Sequence, residues 1–401
     1  MISGVSTDGK YVTLLECTET ESTWAWGPTI SPGTSVFRAQ YVLVGVRLKR
    51  IEDLRLARLI VEYAHLDEWV NTNGFQIDIA RDLKSAVVQY KLPDKIEAAN
   101  LDEYRVAVGF RCKWPTRSRI QKEATLRQTA YVGLEPVGKM LFPELLAIEF
   151  RLATFFGLAI MQAVGPIAIT GWTKRKEIVE IFYQPISTPT GSNTLLPTDM
   201  LFTLSETNGR LAFFLGNWLR KADELAPIYY LYFVAVNSSG TYLEHKFLSI
   251  AQAVESYHRR RVGNAIFPKA EHRRRKKLII NAVPAEDKDW LKQRLQYSNE
   301  PTLRSRLEDL CRIHQLALEG VISNTRSFIG NVADTRNYLT HYDERLKNKR
   351  AEGLDLYLLT QRLKMLLELC LLRELGFDET ATAALVKRNR RYQQEAAIDR
   401  Q

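Results

Sequence analysis

Asp334-Thr335-Arg336-Asn337-Tyr338-Leu339-Thr340-His341-Tyr342 is the stretch on which the reading of this 401-residue chain turns. On a helix, Phe328, Val332, Thr335, Leu339 and Tyr342 share one stripe, which predicts the buried face of an amphipathic helix. Measured from Phe328, Arg336, Thr340, Asn337 and His341 lie at about 80°, 120°, 180° and 220° around the axis. They form one polar arc, with a guanidinium at one edge and an imidazole at the other. Metal-free cleavage of a phosphodiester needs those two groups. A permanent cation stabilises the extra charge of a phosphorane, and an imidazole moves a proton near neutral pH.

Asn337 stands one turn before His341, where a hydrogen bond between them would fix the imidazole tautomer. Arg336 and His341 are about 140° apart on an ideal helix, too far to converge on one atom. Either a substrate is gripped across the arc, or two copies of the helix face each other about a dyad. The competing reading makes His341 a surface histidine paired with Asp343, Glu344 or solvent. Spacing alone decides nothing, because Arg58 and His65 show the same kind of separation. That pair lies in a sheet-like region without a polar arc and is set aside.

Around the arc the second half of the chain reads as helices: Arg210 to Leu225, Thr241 to Arg260, Lys288 to Gln296, Thr302 to Glu319, Phe328 to Arg345 and Gly353 to Leu375. Gly376 is a natural C-cap for the last of these. No repeat period is visible, so the helices predict a bundle and not a solenoid. Two basic runs interrupt it, His258-Arg259-Arg260-Arg261 and His272-Arg273-Arg274-Arg275-Lys276-Lys277. Guanidiniums at this density suit a phosphate backbone, and the alternative is a solvated helix end in a loop. Lys387 to Arg391 reads as a soluble, partly disordered end.

The first half has a different period. Val12 to Leu15, Gln40 to Val46, Gln76 to Ile79, Tyr104 to Phe110 and Ile178 to Tyr183 are rich in β-branched and aromatic residues. Val44, Val46 and Leu48 alternate with Gly45 and Arg47, as in a half-buried strand. Ser31 to Gly33 and Asn71 to Gly74 mark turns. One helix is expected from Pro143 to Val164, with Leu145, Ile148, Leu152, Phe155 and Ala159 inward and Gly165-Pro166 as its stop. Trp24, Trp26, Trp69 and Trp114 could stack on bases, but core or rim packing is the simpler reading. Pro185 to Thr194 is the clearest boundary in the chain. The expected organisation is therefore a strand-rich N-terminal sensing or recognition domain over 1–184, a linker over 185–204, a helical domain over 205–385 and a basic tail over 386–401.

With 45% hydrophobic and 25% charged residues this is the composition of a globular protein, and a net charge of +10 favours an anionic partner. Cys17, Cys112, Cys311 and Cys370 are scattered, which argues against a zinc site or a disulfide framework. No cofactor or metal is expected. The N-terminus lacks the layout of a signal peptide, and Leu152 to Met161 is too short to span a bilayer. A cytoplasmic protein without a membrane partner is the expectation.

The Arg336-Asn337-x3-His341 motif resembles that of HEPN domains. Tyr242 to Arg259 and the leucine-rich terminal helix are similar to the ApeA-type subgroup, in which the HEPN bundle follows a strand-rich domain. The resemblance runs strongly from about Ser205 to Phe377 and loosely before Gln184. It implies an α+β chain, a strand-rich domain followed by an all-α HEPN-like bundle, with the activity of a metal-independent endoribonuclease in anti-phage defence. Arg336, Asn337 and His341 would be its catalytic residues, leaving a cyclic phosphate. Thr340 and Glu255 receive no catalytic role. Arg259, Arg260, Arg261, Arg273, Arg274 and Arg275 would contact RNA. The implied partners are RNA, tRNA among the candidates, a second copy or more through the HEPN bundle, and a phage-derived activator. Two readings compete: a non-catalytic HEPN-like module binding nucleotides or proteins, and a nucleic-acid-binding regulator working through its basic loop.

Overall fold

The computed structural model describes residues 1–23, 33–116, 122–183, 195–237 and 240–399. Trp24, Trp26, Ser31, Pro32 and residues 185–194 of the expected linker lie outside them. The chain divides into two compact units, Met1–Arg220 and Lys221–Gln401.

The first unit is built on β1 (Ile2–Val5), β2 (Tyr11–Thr23), β3 (Thr34–Val44), β4 (Leu56–Tyr63), α1 (Leu66–Val70), β5 (Phe75–Ile79), β6 (Ala86–Tyr90), β7 (Ile96–Asn100), β8 (Tyr104–Lys113), β9 (Arg127–Pro136), α2 (Phe142–Ile160), β10 (Pro166–Thr173), β11 (Ile178–Tyr183) and α3 (Leu211–Arg220). Nine strands form one antiparallel sheet in the order β1-β2-β3-β11-β10-β4-β9-β8-β7, and β5 pairs with β6 apart from it. Leu59, Val61, Val106, Val108, Val132 and Leu134 are fully buried on one face. Helix α2 packs against β4 and turns Leu145, Ile148, Leu152, Phe155 and Ala159 inward, as the spacing predicts. It stops at Ile160, earlier than Gly165-Pro166 would require, because Met161 takes a left-handed φ of 61° and caps it. Trp69 is a core residue against Phe156, whereas Trp114 is exposed beside Tyr90.

The third strand also ends early, at Val44. Gly45 has φ +103° and donates its N–H to the Tyr11 carbonyl, and a side chain there would run into the Ile178 carbonyl. Only glycine fits such a turn, so the alternation through Leu48 is not a strand. The Arg58–His65 pair is structural. Arg58 donates to the Tyr131 hydroxyl at 3.1 Å, and His65, with φ +60°, begins α1 facing Glu68 at 3.7 Å.

Glu149 on α2 is 2% exposed. Its Oε2 accepts from the Tyr183 hydroxyl at 2.7 Å, while Oε1 has no hydrogen-bond partner among the described residues. Burial pushes its carboxyl up to about 7. A carboxyl raised in the fold holds a proton that the unfolded chain has lost. Stability is full below the ordinary value of 4.5 and falls as pH rises to about 7. The loss is about 3 kcal/mol at 1.36 kcal/mol per unit. Glu149→Gln should therefore raise the unfolding midpoint of this unit at pH 8 and leave it nearly unchanged at pH 4.5. Thermal scans at the two pH values check this, and a variant as pH-sensitive as the wild type would refute it.

The second unit comprises α4 (Ala222–Asn237), α5 (Leu243–Arg261), α6 (Lys269–Asn281), α7 (Lys288–Arg294), α8 (Leu303–Ile313), α9 (Gln315–Leu318), α10 (Thr325–His341), α11 (Gly353–Leu375), α12 (Glu379–Arg388) and α13 (Arg390–Asp399). Helix α11 is its axis, with Leu363, Leu366, Leu367, Leu371 and Leu375 at 0% exposure. It packs on α5, α10 and α13 and ends at Gly376, whose φ is +111°.

The single helix expected from Arg210 to Leu225 is two, broken at Lys221. The first belongs to the sheet unit, where the Trp218 indole donates to the Arg151 carbonyl at 3.0 Å. The second continues through Pro227 to Asn237, because Ile228, Tyr229 and Tyr232 are buried behind the proline. The basic segment near residue 272 is also a helix, α6, with no buried residue. Residues 390–399 form α13 where a partly disordered tail was expected. Tyr392 anchors it at 1% exposure, and its hydroxyl donates to Glu368 Oε2 at 2.6 Å.

Candidate functional site

Asn324 starts α10 by accepting the Ser327 N–H at 2.9 Å, an N-cap that satisfies an otherwise unpaired donor. Phe328, Val332 and Thr335 are buried as predicted, and Leu339 is half-buried. Tyr342 departs from the stripe. It adopts φ +50° as the helix C-cap, is 69% exposed and stacks edgewise on Tyr338. The chain then folds back beside the helix. The Asp343 carboxylate accepts from Arg345, which holds it below the usual carboxylate range, and the Ala351 N–H reaches the buried Thr335 hydroxyl at 3.0 Å. The Arg350 guanidinium covers the Tyr338 ring at 4.3 Å.

This leaves the polar arc on the surface. Asn337, Thr340 and His341 are exposed, and Arg336 is half-buried. The Asn337 amide oxygen accepts from Arg336 Nη1 at 3.3 Å, so it serves the arginine and not His341 as expected. The Thr340 hydroxyl donates to the Arg336 carbonyl at 2.7 Å. His341 is the last residue of the helix; its imidazole makes no hydrogen bond among the described residues and interacts electrostatically with the Asp343 carboxylate.

Glu255, on α5, is the residue that sequence reasoning left without a role. Its Oε2 lies 3.4 Å from Arg336 Nη2, and its Oε1 lies 3.8 Å from Arg259 Nη2. Arg259 in turn meets Glu300 at 3.1 Å. The Arg336 and Glu255 side chains are 33% and 27% exposed, so their pair orients the guanidinium without locking it, and a phosphate can compete. The contact spans 81 positions of sequence, and no local pattern announces it.

The two basic runs separate by role. Arg261 is structural. Its Nε and Nη2 grip Glu374 at 3.0 and 2.9 Å, and Nη1 reaches Glu224 at 2.8 Å. Burial would raise the Glu374 carboxyl, but Arg261 and Lys221 together hold it below its ordinary value. His258 is buried between Asp309, 3.0 Å from Nε2, and Arg306, 3.1 Å from Nδ1. A guanidinium only donates, so Nδ1 accepts and Nε2–H points at the carboxylate. Arg260 is exposed and among the described residues reaches only the Glu224 carbonyl, at 3.5 Å. On α6, Arg273, Arg274 and Arg275 are all exposed. Arg274 and Arg275 share Glu271 and pull its carboxyl down to about 2, Arg275 also covers the Phe267 ring at 4.1 Å, and Arg273 has no partner among the described residues. Among the described residues, no group of three or more His, Cys, Asp or Glu is placed to hold a metal ion, and no helix is long and apolar enough to cross a membrane.

A family model for ApeA N-terminal domain 1 matches residues 1–218, and one for Apea-like HEPN matches residues 248–381. The chain is an ApeA-type HEPN protein. No curated protein and no solved structure matches it. The ApeA N-terminal match ends beside the division at Arg220, so α3 belongs with the sheet and not with the helical domain expected from residue 205. The HEPN match runs from within α5 into the start of α12, hence over Glu255, Arg336, His341 and the basic α6.

Proposed function

We propose that this ApeA-type HEPN protein is a metal-independent endoribonuclease acting in anti-phage defence. One observation carries the reading: α10 presents a half-buried Arg336 oriented by Glu255 and an exposed His341 whose imidazole makes no hydrogen bond among the described residues. HEPN domains are generally associated with ribonuclease activity, which adds support. In the reaction the RNA 2′-oxygen bonds to the adjacent phosphorus while the bond from phosphorus to the 5′-oxygen breaks. The 2′-hydroxyl proton leaves and the departing 5′-oxygen gains one. The products are a 2′,3′-cyclic phosphate and a 5′-hydroxyl. His341 moves a proton, Arg336 stabilises the phosphorane, and Asn337 holds the guanidinium.

The separation of Arg336 and His341, about 140° on an ideal helix, favours a site shared by two protomers about a dyad. Mixing Arg336→Ala with His341→Ala protein tests this. In a shared site each mixed dimer keeps one complete pair, and an equal mixture should recover about a quarter of wild-type activity, since half the dimers are mixed. A mixture as inactive as its components means that one protomer supplies both groups.

The exposed cations of α6 are proposed to hold the RNA backbone. Replacing Arg273, Arg274 and Arg275 with alanine should weaken RNA binding and flatten its dependence on salt by up to about 0.9 per lost phosphate contact on a double-stranded region. An unchanged salt slope in filter binding would make α6 a solvated surface only.

A further inference from the structure

The sheet of the first unit has a second face, opposite its core, and one end of it is a built depression. Cross-strand partners project to the same face. Glu97 is opposite Ala107, Ala107 opposite Gly133, Arg105 opposite Glu135, and Gly109 opposite Tyr131. Trp172 is opposite Arg58. Leu59, Val61, Val106, Val108, Val132 and Leu134 project to the other face, and on this one Ala107, Gly109 and Gly133 are themselves buried among their taller neighbours. The depression has a cavity volume of about 170 Å³ and is lined by Lys95, Glu97, Asn100, Arg105, Gly133 and Glu135. That is smaller than whole small-molecule sites, roughly 300–1,000 Å³, so it seats one ring and leaves the rest of a ligand in solvent.

Its floor is flat because Ala107 and Gly133 raise nothing above it. A methyl added at Gly133 would meet no atom closer than 3.7 Å. Beside the floor the Tyr131 ring lies along the sheet over Gly109, so close that a Cβ there would stand 2.5 Å from the ring. The Arg58 guanidinium sits 5.7 Å from the Tyr131 ring and 5.9 Å from that of Trp172, a ladder of π faces ending at the floor. At the rim, Lys95 and Arg58 share a single carboxylate, Glu135, at 3.5 and 3.6 Å. Arg105, Glu97 and Asn100 are exposed, and their side chains make no hydrogen bond or ion pair among the described residues. Three cations against two carboxylates leave one positive charge unbalanced, next to a free acceptor and a free amide.

We infer that this depression binds a nucleoside phosphate. A planar base fits the glycine–alanine floor beside Tyr131, where sheet-borne aromatic rings and guanidiniums stack on bases. Glu97 and Asn100 read the donors on the base edge, and Arg105 with Lys95 takes the phosphate. This would give the N-terminal unit a ligand of its own, independent of the cleavage chemistry assigned to α10. The ligand is a free mononucleotide or one nucleotide of a single strand.

Calorimetric titration of the full chain with AMP, GMP, CMP and UMP, and of the His341→Ala chain with short oligoribonucleotides, tests the site and separates the two sources. Gly133→Ala raises a methyl on the floor in ordinary van der Waals contact, and Arg105→Ala removes an exposed cation, so neither should move the unfolding midpoint. Saturable binding that each variant weakens at least about tenfold supports the inference. No binding of either probe, or binding that both variants leave intact, overturns it.

Discussion

Alanine in place of His341 should lower RNA cleavage by about 10²–10⁴-fold, the usual contribution of a positioned proton-transfer group, and leave the unfolding midpoint in place. The imidazole is exposed at the end of α10, has no hydrogen-bond partner among the described residues and packs into no core. Its truncation removes no contact that holds the bundle together, and surface changes of that kind stay within about 0.5 kcal/mol. Loss of activity with a conserved midpoint therefore isolates chemistry from folding. If wild type and variant degrade, or spare, total RNA equally, the arc is a docking surface and the protein a binding module.

Arg261→Ala should do the opposite, costing about 2–4 kcal/mol of stability while leaving the salt dependence of RNA binding unchanged. The Glu374 side chain is only 7% exposed and depends on Arg261 and Lys221 for its charge balance, with the Tyr257 hydroxyl donating at 3.0 Å. Removing the guanidinium strands part of a buried carboxylate. For a unit of this size the loss lowers the unfolding midpoint by roughly 5–15 °C, at 2–4 °C per kcal/mol. The sign of the pH dependence follows from Glu374, whose carboxyl lies below its ordinary value in the fold. The network's stability is present above 4.5 and fades as pH falls through the folded value, so wild type and variant converge in acid. An unchanged midpoint together with a flatter salt slope would return Arg261 to the RNA-binding set.

Those two residues mark what was legible in the sequence. Arg336 and His341 lie on one helix, and helical periodicity places them on one polar face. Glu255 was invisible as their neighbour because it arrives from α5, far away in sequence. Arg261 was sorted with the RNA-binding cations because local charge density cannot show that Glu374, more than 100 positions later, faces it.

The fold divides in the same way. Strongly periodic elements such as α11 and the strand at Ile178–Tyr183 match their expected ranges. Helix α6 has no apolar face, so no period marked it, and α13 is held by Tyr392 on the distant Glu368. Tyr342 left its stripe because a left-handed cap on a tyrosine carries no residue signature, unlike Gly376 at the end of α11.

The most direct measurement is the end chemistry of RNA cut by the purified protein in excess chelator. The account predicts 2′,3′-cyclic phosphate and 5′-hydroxyl ends from the wild type, and none from His341→Ala or Arg336→Ala. Ends bearing a 5′-phosphate and a 3′-hydroxyl, cleavage abolished by the chelator, or undiminished cleavage by His341→Ala would contradict it.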